Sequence, residues 1–471
     1  MRKIRLWQAM WLLALLPVTA CSDFLERQSQ DEVIVKTATD FSELLLGSGY
    51  VTSVSYQSAY FMDDDIQIYE NSFYPELFTV YQKFGALSWQ PDMWEREYTL
   101  SDSYTHTYTR IMGVNAVLDG IEQASGPQES KDQVRAEALA LRGYYYWMLV
   151  NLYAEPYNVN KNAPGVPLKL VASLEENGMP RNTVAEVYER ILQDLSASAA
   201  LFDQYEKRRA NYRINATSAY ILLSRAYLFM ERWDDAISAA TQAINGAEGL
   251  TDYRELYAEV ANGQSVFMPN YAHSEVEWIY GVSWDLQCFG PSKDLLSTYT
   301  PDDYRPLIWF DLNEYSAIHL PKKDYDWTAS YTTPVNTLRI SEAYLNRAEA
   351  YAMKNDQENA LSDLNELRRN RIKNYVDVTA GEVRDLMEEV RLERRRELCF
   401  DEMRWFDLRR YGMPSIVHQY RYKSNDPWVT YTLKEKDPMY TLPFPNEVVR
   451  QNPLLTQNPS ATQPARTGVT K

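Results

Sequence analysis

The chain has 471 residues, with 48 Lys and Arg against 65 Asp and Glu and a formal net charge of −17. That balance argues against nucleic acid, because phosphate binding needs a basic footprint. With 4 His and 3 Cys, a structural zinc site has few ligands to draw on. A hydrophobic content of 45% is enough for a large core and argues against wholesale disorder.

Residues 1–20 read as a secretory leader: basic Arg2, Lys3 and Arg5, an apolar stretch over Leu6–Leu16, then small Thr19 and Ala20 before Cys21. The apolar stretch is too short to span a bilayer as a helix. Val18-Thr19-Ala20-Cys21 resembles a bacterial lipobox, which makes Cys21 the expected lipidated residue and anchors the mature chain without spanning. No later stretch of about 20 apolar residues occurs. Cys288 and Cys399 remain, and two buried thiols are expected rather than a bridge.

The rest reads as mainly helix. Residues 39–50 carry Phe41, Leu44 and Leu45 at helical spacing, with Thr39, Asp40 and Ser42 as cap candidates. Two longer amphipathic runs follow at 104–124 and 132–153. The second has a stripe of mostly small residues, Ala136, Ala140, Gly143 and Trp147, suited to close helix packing. A loop is expected over 155–167 and helix again over 183–203. Two segments, around Leu223–Ile244 and Ala348–Leu367, carry the small and aromatic packing residues of diverged tetratricopeptide hairpins, with Arg347 where Leu is usual. Tetratricopeptide-like helices thus run over about 104–249 and 338–411. Loop-rich segments at about 55–98 and 250–335 interrupt them, and Val276–Val282 reads as a short strand. Residues 382–411 read as one long charged helix, its ion pairs expected between local helical neighbours.

Several of these stretches together resemble the SusD/RagB family of outer-membrane nutrient-binding lipoproteins. They are Cys21 with Phe24-Leu25-Glu26; Tyr153…Pro156…Gly165-Val166-Pro167-Leu168; Arg181-Asn182-Thr183-Val184…Asp194-Leu195; Arg339–Ala350; Glu393-Arg394-Arg395…Arg404-Trp405-Phe406-Asp407-Leu408-Arg409-Arg410-Tyr411-Gly412; and Leu442-Pro443-Phe444-Pro445…Gln457-Asn458-Pro459. Met403 stands where Gly is usual, and Ser460-Ala461 replaces a common Gly-Tyr. The resemblance implies a single SusD-like domain over 21–471, lipid-anchored at the cell surface. It also implies an oligosaccharide ligand and a TonB-dependent SusC-like transporter as partner, reached through the tetratricopeptide-like face. Peptide cargo, or a tetratricopeptide-like assembly adaptor, are the alternatives.

No catalytic, cofactor or metal motif stands out. Asp63-Asp64-Asp65 invites a glycosidase reading, since sugar hydrolysis uses two carboxylates in a cleft. A solvated loop or helix-start cluster is the simpler reading. His106, His273, His319 and His418 are isolated from one another in sequence. Sugar rings pack their C–H faces on flat aromatic rings while polar neighbours bond the hydroxyls. Loop tryptophans with polar neighbours are therefore the glycan candidates: Trp89, Trp94, Trp284 and Trp327. Trp278 and Tyr280 share one strand face and are assigned to the core, and Trp309 to a structural element.

Overall fold

The computed structural model describes residues 35–470 apart from 52–58, 60, 70–77, 96–102, 208–211, 265, 267, 283–288, 311–333 and 424. Cys21, Trp284, Cys288, His319 and Trp327 lie outside the described residues. Thr37–Lys471 forms one compact unit.

Helix α1 (Ala38–Leu44) begins one residue ahead of the cap candidates. Thr37 accepts from the Asp40 amide while Asp40 accepts from the Thr37 amide, a reciprocal box that satisfies two of the amides a helix start leaves bare. The two amphipathic runs become α2 (Ser103–Gly120) and α3 (Gln128–Tyr153). Nearly every residue of α3 from Asp132 onward is buried, and its small stripe faces α4 (Val184–Phe202). A Cβ on Gly143 would lie 2.8 Å from Leu195, and Ser198 donates to the Ala136 carbonyl at 2.7 Å, so the two backbones approach closely.

Both expected hairpins form: α5 (Ala216–Phe229) with α6 (Trp233–Gly246), and α7 (Ile340–Met353) with α8 (Gln357–Arg369). Each turns through a left-handed residue, Glu231 in one and Asn355 in the other. The anomalous Arg347 clasps Asp363 of α8 with two hydrogen bonds and reaches Thr241 of α6, so an interhelical ion pair replaces an apolar contact.

The strands are short. β1 (Ile66–Ile68) pairs antiparallel with β3 (Phe289–Pro291), and β2 (Val276–Val282) with β4 (Pro334–Arg339). β5 (Ile416–Tyr420), β6 (Val429–Leu433) and β7 (Val469–Thr470) form a third sheet. Trp278 and Tyr280 are buried and stacked, and Trp309 is buried, as assigned.

The expected continuous helix over 382–411 is broken. α9 (Leu386–Leu398) and α10 (Arg404–Arg410) are separated by a turn in which Phe400 and Glu402 both adopt positive φ, a conformation no α-helix tolerates. Its charges are not mainly locally paired either. Glu397 meets Arg339 at 2.6 Å, Arg371 at 2.9 Å and Arg305 at 3.1 Å; Glu275 meets Arg339 at 3.0 Å and Arg371 at 2.6 Å. Glu393 holds Arg368 at 2.7 Å. These groups are all fully buried or nearly so.

The surrounding guanidiniums outweigh burial and hold the Glu397 and Glu393 carboxyls well below their usual range. A depressed carboxylate contributes stability above its unfolded pKa of about 4.3 and loses it as pH falls through the folded value. Glu397→Ala, which takes from Arg305, Arg339 and Arg371 a buried carboxylate they share, is expected to destabilise by about 3–5 kcal/mol in chemical denaturation near pH 7. Removing Glu447 from its exposed pair with Arg450 is expected to change stability by less than about 1 kcal/mol.

Candidate functional site

A cleft of about 1020 Å³ opens between the β1–β3 ribbon and the β5–β6 hairpin. Its walls come from residues 64, 66–69, 292–294, 415–419 and 427–428, together with Leu87. Strand alternation sets which side chains serve it. In β5, Ile416 and His418 point inward and are buried, while Val417 and Gln419 are exposed.

Besides His418, two aromatic side chains line the cleft: Tyr69, whose hydroxyl donates to the Pro291 carbonyl at 2.7 Å, and Trp428, half-buried at the hairpin, with the Arg421 guanidinium 4.5 Å from its ring centroid. Gln67 and Gln419 each commit one end of the amide. Gln67 accepts from the Lys293 amide at 3.0 Å, and Gln419 donates to Thr430 at 3.0 Å. Their other amide atoms are the donors and acceptors a hydroxylated ligand would meet.

The charges beside the cleft are matched. Arg404 forks onto Asp64 at 2.7 and 2.8 Å, and Arg395 reaches Asp65 at 2.6 Å and Asp294 at 2.7 Å. The three aspartates are therefore neither a solvated loop nor a helix-start cluster. Asp63 and Asp65 are buried, and two arginines from the charged segment far along the chain hold Asp64 and Asp65. Their acidities separate. Burial pushes Asp63 well up and Asp65 up to about 6, while the Arg404 and Arg395 pairs hold Asp64 below the ordinary range.

Split acidities are also what a glycosidase arranges. Here the two raised carboxyls are buried, one accepting from the Asp65 amide at 2.9 Å and the other engaged by Arg395, so neither reaches a glycosidic oxygen. The three carboxylates converge within 4.8 Å. Guanidiniums already supply the positive charge there, which is a poor donor set for a metal ion.

Trp89 is not an open platform. Its side chain is 0% exposed, its indole N–H donates to the Met62 carbonyl at 3.0 Å, and its ring stacks on His418 at 4.3 Å. Trp89 has φ 50°, a costly conformation for a bulky residue that this packing over-determines. Trp94 is half-buried and donates to the Pro443 carbonyl at 2.7 Å, apart from the residues lining the cleft. Sequence reasoning passed over Trp428. The alternation of Ile416–Tyr420 and Val429–Leu433 around it was the available signal for a hairpin.

His418 is core, as isolation in sequence allowed. Its Nδ1 lies 2.8 Å from the Leu87 carbonyl and its Nε2 2.7 Å from the Asp63 carbonyl. Burial draws its pKa below the usual histidine range, against the pull of both carbonyls and Asp64. Cys399 is buried with its thiol 3.4 Å from the Tyr299 hydroxyl.

Residues 23–228 match the family described as "Starch-binding associating with outer membrane", and residues 308–460 match the SusD family. The chain belongs to the SusD/RagB family. Solved structures share its fold. A SusD-like carbohydrate-binding protein from Bacteroides vulgatus is 20% identical, with a TM-score of 0.70 over 89% of this chain and 97% of its own. A putative sugar-binding protein from the same species is 23% identical, with a TM-score of 0.70 over 91% and 99%. A SusD superfamily protein from Bacteroides fragilis is 23% identical, with a TM-score of 0.70 over 90% and 100%. No curated protein matches the sequence. The family is one of binding proteins associated with the outer membrane.

Trp89→Ala is expected to cost about 3–5 kcal/mol, as large core truncations do, read as a lowered denaturation midpoint. The same substitution at Trp428 is expected to leave the midpoint within about 1 kcal/mol, because that ring is half-exposed.

Proposed function

We propose that the protein is a lipid-anchored outer-membrane receptor. It captures a neutral oligosaccharide in the cleft beside Trp428 and passes it to a SusC-like TonB-dependent transporter, breaking no bond. The observation that carries this reading is the character of the cleft in a SusD/RagB chain. An indole, the exposed Val417 and two glutamine amides face a volume suited to several sugar rings.

Neutrality follows from charge. The acids at and beside the cleft, Asp64, Asp65 and Asp294, are balanced by Arg404, Arg395 and the Lys293 ammonium. An acidic polysaccharide would also approach a chain of net charge −17 against its field. The carbohydrate-binding and putative sugar-binding proteins that share this fold agree with this reading. Anchoring through Cys21, the surface location and the transporter partner come from the lipobox and the family resemblance. Trp94, Trp284 and Trp327 stay in the proposal as secondary sugar contacts.

Native affinity electrophoresis of mature Ser22–Lys471 through gels holding neutral or uronic-acid polysaccharides tests the reading. Retardation by a neutral glycan is expected, lost in Trp428→Ala and reduced in whichever of Trp94→Ala, Trp284→Ala and Trp327→Ala touches the ligand. Retardation only by acidic polymers, or by none while peptides bind, would sink it. In cells, incorporation of labelled fatty acid is expected for the full chain and not for Cys21→Ser.

A further inference from the structure

His418 sits where three pieces of the chain meet at the cleft wall. Its strand is β5, its Nδ1 faces the Leu87 carbonyl at 2.8 Å, and its Nε2 faces the Asp63 carbonyl at 2.7 Å. A carbonyl oxygen only accepts, and a neutral imidazole carries one N–H. In either neutral tautomer one ring nitrogen therefore turns a lone pair towards a carbonyl oxygen at hydrogen-bonding distance. Only the imidazolium, with two N–H groups, satisfies both contacts. Trp89 stacks on the ring at 4.3 Å with planes 26° apart, placing an electron-rich indole face against that charge.

We infer that His418 is a proton-operated tie in the cleft wall: charged, it binds both the Asp63 loop and the Leu87 turn to β5, and uncharged, it binds only one of them.

The ionisable groups around it come from each packed element. The loop brings Asp63, Asp64 and Asp65, the last two with Arg404 and Arg395 behind them. Lys83, before the Phe84–Leu87 helix, lies 5.1 Å over the Phe61 ring. On β6 the residue opposite His418 is Tyr431. Asp63 leads directly through Asp65 into β1, so releasing its carbonyl removes one link between the two cleft walls. The tie is present below the titration of the ring and is lost as pH rises through it. Burial places that titration on the acid side of the usual range, against the carbonyls. The consequence for ligand binding rests on the glycan cleft proposed above; the tie itself does not.

Histidine-selective 15N NMR of Ser22–Lys471 from about pH 5 to pH 8 tests this, with His418→Gln assigning the signal among 4 histidines. The expected result is an imidazolium with two protected N–H protons at the acid end and one N–H after titration. Glycan retardation should weaken about fivefold or more in parallel, and His418→Gln should bind with no such pH dependence. A single-N–H neutral ring at every pH overturns the tie, and a titrating ring with pH-independent retardation overturns its link to the cleft. Two protected N–H protons without retardation by any glycan would uphold the tie and count against the glycan reading.

Discussion

The buried lattice of guanidiniums and carboxylates around Glu397 is the constraint on which the rest of the structure depends. Arg305, Arg339 and Arg371 converge on one glutamate, and each comes from a different stretch of chain: a short helix in the loop-rich segment, the end of β4, and the residue pair beyond α8. Taking so many charges out of water costs several kcal/mol per ion, so the lattice is a weak source of net stability. Its value is geometric, because an arginine stranded by a shifted loop would keep the full desolvation cost. Loop-rich chain is thereby held to the helical scaffold in one arrangement.

The same short stretch of helix holds the cleft. Glu393 and Glu397 face the buried lattice, whereas Arg395 and, beyond the break, Arg404 reach the aspartates that lead into β1. One segment therefore positions both long excursions, the first through its bases and the second through its acids and Arg395. The break at Phe400 and Glu402 belongs to this design. A continuous helix would advance each residue by about 100°, and the turn instead lets Arg404 join Arg395 on the same aspartate cluster.

The helices were legible because burial writes a period into the chain. The small stripe on α3, the two hairpins and the strand at Val276–Val282 all follow from residues within one element. What was not legible involved partners far apart. Arg404 and Asp64 are separated by 340 positions, and nothing local distinguishes a cross-chain ion pair from a helical neighbour. The helix break was hidden because its left-handed residues are Phe and Glu rather than Gly. The tryptophans show the same limit. Trp89 and Trp428 both sit among Pro, Asp and polar residues, yet one is sealed by His418, more than three hundred positions away, and the other stands at the cleft.

That contrast bears on how such a fold can change ligands. Along β5 the inward residues carry structural duties: Ile416 fills the core and His418 ties two neighbours. The outward Val417 and Gln419, and Trp428 at the hairpin, contribute to the cleft while the core closes without them. Because strand side chains alternate, the two sets lie one residue apart on opposite faces of the strand. Substitution on the outward set alters what the cleft meets and leaves the charge lattice and the Trp89 packing untouched. A scaffold over-determined by buried ions can thus carry a binding surface that is nearly free of folding constraints.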